Sequence, residues 1–176
     1  MSQDKNAKVS TPINIAILTV SDSRTEADDK SGNLLVKYLT QAGHKLADKQ
    51  IVRDDIYQIR AVVSQWIADD KIQAVISTGG TGLTGRDISP EAFKALYDKE
   101  ITGFGEVFRM LSYDLIGTST IQSRAVAGIA NGTVLFTLPG SPGACKDGWK
   151  KIISQQLDIN HKPCNLVEIM PRFLEK

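Results

Sequence analysis

The chain has 176 residues, of which 41% are hydrophobic and 23% are charged, and its formal net charge is +1. This length and composition are typical of a single globular domain that buries its own core. The near-neutral charge offers no general attraction to nucleic acid or to an anionic membrane, and no apolar run approaches the roughly 20 residues that a membrane span needs.

The first half of the chain alternates apolar runs with helical periodicity. Residues 1–12 are polar and are expected to form a flexible arm. Residues 13–20 are almost continuously apolar and predict a strand buried on both faces. Apolar residues recur at helical spacing over 34–39, and Gly43 is placed to end that helix. A strand is expected within residues 45–53, where weak alternation favours a position nearer the edge of a sheet.

The middle of the chain continues this alternation. A helical face over residues 56–67 precedes a short β-branched strand at 72–77. Ser89 is suited to cap a helix with Pro90 at its first position. Helical spacing resumes over 93–97 and 104–111, and the segment 119–130 is also expected to be helical.

The last part of the chain contains another buried strand at residues 133–138, a rigid loop at 139–143 and a helix at 144–157. Residues 13–170 are therefore expected to form one domain, followed by a tail at 171–176. Strands that alternate with helices predict an α/β fold, a three-layer α/β/α sandwich around a parallel sheet.

Polar or glycine-rich segments follow four of the predicted strands. They are Ser21-Asp22, Asp54-Asp55, the segment 78–87 and the segment 139–143. Ligands of such sheets bind outside the carboxyl ends of the strands. The four segments together therefore predict a composite binding site at one edge of the sheet.

The richest of these segments suits a phosphorylated ligand. Its glycine run, Thr78-Gly79-Gly80-Thr81-Gly82, lets the backbone approach a bulky anion closely. Arg86 can pair with a phosphate, and Asp87 can hold a cation or position a proton.

Two familiar nucleotide motifs are excluded for this segment. Residues 80–85 match the pattern G-x-G-x-x-G, but the helix signal starts only at Ser89 and the segment follows the third strand. No Gly-Lys-Ser/Thr follows, so a Walker loop is excluded as well.

Two acidic segments each allow a structural and a functional interpretation. Either Asp54 or Asp55 could begin the next helix, or one of them could point into the site, where with Asp87 it could bind Mg²⁺. Asp29 or Ser31 could cap a helix, whereas Ser31-Gly32 could offer backbone amides to an anion.

Other chemically suggestive residues carry weaker signals. Arg109 and Arg124 could serve ion pairs or a subunit contact, and the apolar stripe from Phe104 to Leu111 favours a core or an interface. Cys145 and Cys164 form no Cys-x-x-Cys pair and no secretory segment precedes them, so we expect reduced thiols in a cytoplasmic protein. With only two cysteines and two histidines, and the histidines far apart in the sequence, no zinc site is expected.

Several of these segments resemble the molybdopterin-binding family of molybdenum cofactor biosynthesis. The resemblance covers residues 13–157 and is carried by five segments: 78–82, Arg86-Asp87, 89–91, 103–106 and 138–140. The segment 119–125, Ser-Thr-Ile-Gln-Ser-Arg-Ala, is most similar to the branch of bacterial B proteins.

The resemblance implies a mostly parallel α/β sheet and a pocket for molybdopterin, a pterin dithiolene phosphate. Active relatives use ATP and Mg²⁺ to adenylylate that phosphate and release pyrophosphate. Their essential aspartates fall on Asp87 and Asp54. Together with the clustering at the strand ends, the resemblance predicts that the substrate pocket is lined by Ser21, Asp22, the glycine run and Pro139-Gly140-Ser141. The resemblance also implies a homo-oligomer, a trimer or hexamer, and other cofactor-biosynthesis proteins as partners.

The chain departs from the family at one position, because many relatives have asparagine where this chain has Ser141. Some B proteins lack the second-strand aspartate and are thought inactive, whereas this chain retains Asp54. Two alternatives to the transferase stay open at this point: a carrier that binds molybdopterin without turnover, and a related nucleotide pyrophosphohydrolase.

Overall fold

The computed structural model describes residues 11–176 and contains one central sheet with helices on both faces. Residues 1–10 of the predicted arm lie outside the described part. The strands are β1 (Asn14–Val20), β2 (Lys45–Val52), β3 (Ala74–Thr78), β4 (Lys99–Glu100), β5 (Val126–Ala130) and β6 (Thr133–Leu138). The helices are α1 (Lys30–Gln41), α2 (Ile56–Ala68), α3 (Ser89–Lys94), α4 (Thr102–Ile116), α5 (Pro142–Gly148), α6 (Ser154–Gln156) and α7 (Leu166–Ile169).

The sheet is mostly parallel, which confirms the predicted fold class. Its strand order is β2-β1-β3-β6-β5-β4, with β2, β1, β3 and β6 mutually parallel. Strand β5 pairs antiparallel with β6, and β4 pairs antiparallel with β5. Strand β2 lies at the edge of the sheet, which explains its weak alternation of apolar residues.

Two apolar clusters fill the space on either side of the sheet. Ile15 and Ile17 of β1 pack in the cluster that contains residues of α1, α4 and α5, whereas Ala16 and Leu18 pack against α2 and α3. Alternate residues of a strand point to opposite faces. A strand covered on both faces is therefore almost continuously apolar, as β1 is apart from Asn14 and Thr19.

The C-terminal part closes one of these clusters. Helix α5 continues through a π-helical turn at Trp149–Ile153 into α6, so that these elements cover the predicted helix 144–157. Residues Met170–Arg172 form a 3-10 turn, and Phe173 packs against the same cluster. Part of the segment predicted as a tail thus contacts the core.

The predicted helix at 119–130 is wrong. A 3-10 helix covers Gly117–Gln122, and Val126–Ala130 form strand β5, paired with β6. Asn131 and Gly132 have φ values of 45° and 85°, as a two-residue hairpin turn requires. The Asn-Gly pair therefore joins two strands, and hydrogen bonding to β6 outweighs the helical spacing that precedes it.

Candidate functional site

The loops that follow β1, β2, β3 and β6 meet at the carboxyl edge of the sheet. The loop after β3 contacts the loop after β6, because the Thr78 hydroxyl donates to the Pro139 carbonyl at 2.9 Å. The loops after β1 and β2 contact each other, because the Asp22 amide donates to the Asp54 carboxylate at 3.0 Å. The structure thus brings the four predicted segments together.

The glycine run makes a sharp turn next to the carboxyl end of β1. Gly79 and Gly80 have φ values of 103° and 65°, which side chains rarely adopt. A Cβ atom on Gly79 would lie 2.2 Å from the Val20 carbonyl oxygen. Glycine is therefore required at this turn for its backbone conformation as well as for space.

Ser89 holds this turn and does not cap α3, which corrects the prediction. The cap position is Ile88, and Ser89 is already the first helical residue. The Ser89 hydroxyl donates to the Gly79 carbonyl at 2.8 Å, and its amide donates to the Gly80 carbonyl at 2.9 Å. Ser89 is fully buried, so these bonds fix the glycine run to the start of α3.

Two cavities open at this edge and share Gly80 and Gly140. The larger cavity has a volume of about 530 Å³ and the smaller about 280 Å³. Of the predicted site residues, the larger cavity is lined by Gly80, Thr81, Gly82, Asp87, Pro139, Gly140 and Ser141. The smaller is lined by Ser21, Ser31, Asp54, Thr78, Gly79, Gly80 and Gly140.

The walls of the two cavities differ in chemistry. The larger cavity has an apolar wall that includes Phe108, Leu115 and Ile116 from α4. The smaller cavity has a mainly polar wall, including the buried carboxylate of Asp29. The first cavity therefore offers apolar contact, and the second offers polar partners.

Asp54 and Asp55, which follow β2, have different roles: one faces the site and the other caps a helix. Asp55 caps α2, because its carboxylate accepts from the Tyr57 and Gln58 amides. Asp54 faces the site, where its Oδ1 would lie 3.3 Å from a Cβ on Gly80. Burial raises the pKa of Asp54, and the nearby carboxylates of Asp22 and Asp87 raise it further.

Asp87 has the opposite electrostatic character. Its carboxylate accepts from the Thr84 amide at 2.9 Å and from the Thr84 hydroxyl at 2.6 Å. Burial alone would raise the pKa of Asp87, but these bonds, one from the Gly82 amide and the positive charge of Arg124 outweigh burial and lower it. Asp87 therefore presents an ionised carboxylate to the larger cavity.

Three predicted site residues line neither cavity. Arg86 and Asp22 pair with each other at the rim, with 2.5 Å between Nη1 and Oδ2. Gly32 lies in the first turn of α1, where its amide donates to the Asp29 carboxylate at 2.9 Å. This corrects the prediction that the Gly32 amide serves an anion, and it identifies Asp29 as the helix cap.

A buried charge network adjoins the smaller cavity, which two of its members, Thr19 and Asp29, line. Besides capping α1, the Asp29 carboxylate accepts from the Thr19 hydroxyl at 2.9 Å and pairs with Lys49 at 3.0 Å. Sequence reasoning did not predict the contacts of Asp29 with Thr19 and Lys49, because Thr19 lies on β1 and Lys49 on β2. Ser31 donates to the Gly140 carbonyl at 3.2 Å and so ties α1 to the loop after β6.

Sequence reasoning also missed the role of Arg124. Its guanidinium donates to the backbone carbonyls of Gly82 and Asp87, at 2.7 Å and 2.5 Å, and pairs with the Glu91 carboxylate. The arginine lies two residues before β5, far along the chain from the glycine run. No local spacing in the sequence indicates this contact.

Other residues at the edge have structural roles. Ser141 caps α5 by accepting from the Ala144 amide at 3.1 Å. Burial raises the pKa of Cys145 to about 11, so its thiol stays protonated and packs in the core. Of the apolar stripe on α4, Phe104 and Phe108 are buried in the core, whereas Val107 is exposed.

The described residues contain no preformed metal cage. Among residues 11–176 no group of three or more His, Cys, Asp or Glu side chains is placed to hold an ion. In the same part of the chain, no helix is both long and apolar enough to cross a bilayer.

Comparison with known sequences gives consistent matches over most of the chain. A family model described as "Probable molybdopterin binding domain" matches residues 16–159. Molybdenum cofactor biosynthesis protein B of Escherichia coli (strain K12) is 57% identical over 154 residues, which cover 88% of this chain and 91% of that protein. The protein of the same name from Bacillus subtilis (strain 168) is 44% identical, covering 80% and 84%.

Solved structures agree with these matches. A crystal structure of a molybdenum cofactor biosynthesis protein B superposes with a TM-score of 0.84 at 40% identity, covering 94% of this chain and 98% of that one. The tungsten cofactor synthesizing protein MoaB from Pyrococcus furiosus superposes with a TM-score of 0.75 at 39% identity, covering 82% and 92%.

Proposed function

The chain belongs to the molybdopterin-binding domain family, and from that premise we propose that it is a molybdopterin adenylyltransferase in molybdenum cofactor biosynthesis. It would transfer AMP from ATP to the phosphate of molybdopterin and release pyrophosphate. The observation that carries the proposal is the pair of cavities that meet at Gly80 and Gly140, with Asp54 on one side and Asp87 on the other.

This arrangement suits a reaction between two phosphorylated substrates. The apolar wall of the larger cavity suits a flat pterin or purine ring. The glycine run at the junction allows close approach of two phosphate groups. A substrate in each cavity would therefore have its phosphate near that of the other.

The reaction is an in-line displacement at phosphorus. An oxygen of the pterin phosphate forms a bond to the α-phosphorus of ATP. The bond from that phosphorus to the α,β-bridging oxygen breaks, and pyrophosphate leaves with the electron pair. Such reactions depend mainly on positioning and charge neutralisation. The loop amides and Arg86 would orient the phosphates, and Ser21 and Asp22 would border the same space.

The acidic residues of the site fit Mg²⁺ in their chemistry. Magnesium prefers oxygen ligands and is commonly held by one or two carboxylates together with substrate phosphates. Asp54 and Asp87 supply such oxygens, and the raised pKa of Asp54 reflects burial and a repulsion among carboxylates that a cation would relieve. A bound Mg²⁺ would neutralise charge on the triphosphate and on the leaving pyrophosphate.

Pyrophosphate release tests the proposal directly. The protein is mixed with ATP, Mg²⁺ and molybdopterin, and pyrophosphate is measured with and without the pterin. We expect pterin-dependent release that Asp87→Asn lowers about 100-fold. Asp70→Asn, an exposed change in the turn after α2, is the matched control.

Each alternative gives a different result. Molybdopterin binding without pyrophosphate release would contradict the transferase and leave a carrier. Hydrolysis of a dinucleotide without pterin would identify a pyrophosphohydrolase. If Asp87→Asn releases pyrophosphate as fast as the wild type, Asp87 does not have the proposed role in the reaction.

The proposal includes assembly into a trimer or hexamer. An exposed apolar surface lies on α4 and the 3-10 helix that follows it, and it consists of Val107, Met110, Tyr113, Leu115, Ile116 and Ile121. Surfaces of this kind mark contacts between proteins. Light scattering after size-exclusion chromatography should give the mass of a trimer or hexamer, and Met110→Glu should lower it, whereas a monomeric wild type would contradict the assembly.

The cellular setting follows from the same proposal. Both cysteines are free thiols, Cys145 buried and Cys164 exposed, which fits the expected cytoplasmic location. Other proteins of cofactor biosynthesis would supply molybdopterin and receive the adenylylated product.

A further inference from the structure

Arg124 contacts the end of the glycine run, Asp87 and the first turn of α3. Its Nε donates to the Gly82 carbonyl at 2.7 Å, one terminal nitrogen donates to the Asp87 carbonyl at 2.5 Å, and the other pairs with Glu91. The side chain is only 27% exposed. One planar group thus spans both ends of the segment 82–87 and the first turn of α3.

These contacts require an arginine and not merely a positive charge. A guanidinium holds its donors in a fixed plane, whereas a lysine ammonium is a compact point charge on a flexible stem. Two carbonyls and a carboxylate, each bound by a different guanidinium nitrogen, match the first geometry. Glu91 is reciprocally affected: burial would raise its pKa, but the bond and charge of Arg124 lower it.

The segment that Arg124 holds carries the acidic group of the larger cavity. Asp87 Oδ2 would lie only 2.7 Å from a Cβ on Gly82, so the two residues are closely apposed across the segment. Arg124 binds the main chain at both of them, which leaves the Asp87 carboxylate directed towards the cavity.

We infer that Arg124 is a positioning residue. It fixes the backbone of the segment 82–87 and so sets the position of the Asp87 carboxylate. It acts through Asp87 and the loop backbone and does not line the larger cavity. The inference rests on the proposed function for its kinetic test only.

The neighbouring Arg109 provides a matched control. Both arginines line a separate cavity of about 480 Å³ between α3 and α4. The Arg109 side chain donates to the Ala125 carbonyl at a long 3.4 Å, and its backbone carbonyl accepts from the Thr120 hydroxyl. Within residues 11–176 no hydrogen bond joins it to the glycine run. Arg109→Met therefore removes a positive charge from the same cavity without releasing the segment.

The experiment compares Arg124→Met, Arg124→Lys and Arg109→Met in the full chain. Pyrophosphate release is measured for kcat and KM, and hydrogen exchange of the Thr84 and Asp87 amides is followed in the protein without substrates. We expect Arg124→Met to lower kcat about 100-fold with KM nearly unchanged. Exchange of both amides should become faster, because their hydrogen bonds lie within the segment 82–87 that Arg124 holds.

The other two variants separate charge from geometry. Arg124→Lys keeps a charge but cannot reproduce the planar contacts, so kcat should fall about tenfold, and Arg109→Met should match the wild type. If Arg124→Met does not fold, Arg124→Lys carries the test. Folded Arg124 variants with wild-type kcat and unchanged exchange of the Thr84 and Asp87 amides would overturn the inference. A wild type without pyrophosphate release would contradict the proposed function alone, and the exchange of these amides would then decide the role of Arg124.

Discussion

Arg86 and Asp22 form an ion pair across the mouth of the site and so join the loop after β3 to the loop after β1. The Arg86 side chain is 78% exposed and that of Asp22 38% exposed. Exposed pairs of this kind contribute about 0–1 kcal/mol to stability. Asp22 therefore holds Arg86 near the site, and an incoming phosphate would compete with Asp22 for the guanidinium.

Arg86→Met should separate ligand binding from stability. We expect the affinity for ATP, measured by titration calorimetry, to fall about tenfold, because a charged hydrogen bond to phosphate is lost. The free energy of unfolding should change by less than about 1 kcal/mol. Arg172→Met removes a similar exposed pair, with Glu175, and should change neither quantity. Unchanged ATP affinity in Arg86→Met would contradict the predicted phosphate contact.

Asp54→Asn should stabilise the free protein at neutral pH while it lowers activity. The pKa of Asp54 is raised in the folded state, so its contribution to stability is present below the ordinary value of 3.8 and is lost as the pH rises through the folded pKa. Ionised Asp54 therefore costs stability at pH 7. We expect a gain of less than about 1 kcal/mol at that pH, which shrinks as the pH falls towards 3.8.

Thermal unfolding of Asp54→Asn across pH measures this gain. Asp70→Asn, an exposed change in the turn after α2, serves as the control and should show no such pH dependence. Pyrophosphate release should fall in the Asp54 variant at every pH. A variant less stable than the wild type at pH 7 would contradict the electrostatic explanation.

Much of the architecture follows from local sequence patterns. The apolar runs of β1, β3 and β6 are covered on both faces, so their positions could be predicted, and the alternation with helices predicted their parallel direction. The common edge of the four loops then follows from that direction alone. The hairpin of β5 and β6 was missed because helical spacing at 119–130 was weighted above the Asn131-Gly132 pair, which is itself a strong hairpin signal.

The contacts that hold the site together could not be predicted in this way. Arg124 and Gly82, or Asp29 and Lys49, lie far apart in the chain and meet only after the sheet has formed. Gly32 is a similar case. Its amide is suited to bind an anionic ligand, but it already donates to the carboxylate of Asp29, the cap of α1. Tertiary hydrogen bonding decides such cases, and residue type alone does not.

Gly82→Ala should impair activity with little loss of stability. A Cβ at this position would lie 2.7 Å from Asp87 Oδ2 and 3.0 Å from its Cγ, so the carboxylate must move. We expect kcat for pyrophosphate release to fall at least about tenfold, with a loss in unfolding free energy of about 1 kcal/mol or less. Gly85→Ala, where a Cβ meets nothing within 4 Å, should leave both quantities unchanged. Equal kcat in the two variants would show that the position of Asp87 does not limit the reaction.

Gly79→Ala should affect the fold itself, because the turn beneath β1 cannot accept a side chain. The φ of 103° is unfavourable for alanine, and the new Cβ would lie 2.2 Å from the Val20 carbonyl oxygen, a main-chain atom of a fully paired strand. Strain of this kind costs about 3 kcal/mol, which corresponds to a fall in Tm of about 6–12 °C for a chain of this length. Gly103→Ala in α4 has open space around it and should keep or raise the Tm. Thermal unfolding of both variants measures the difference, and a Gly79→Ala protein as stable as the wild type would mean that β1 and the glycine run can separate without cost.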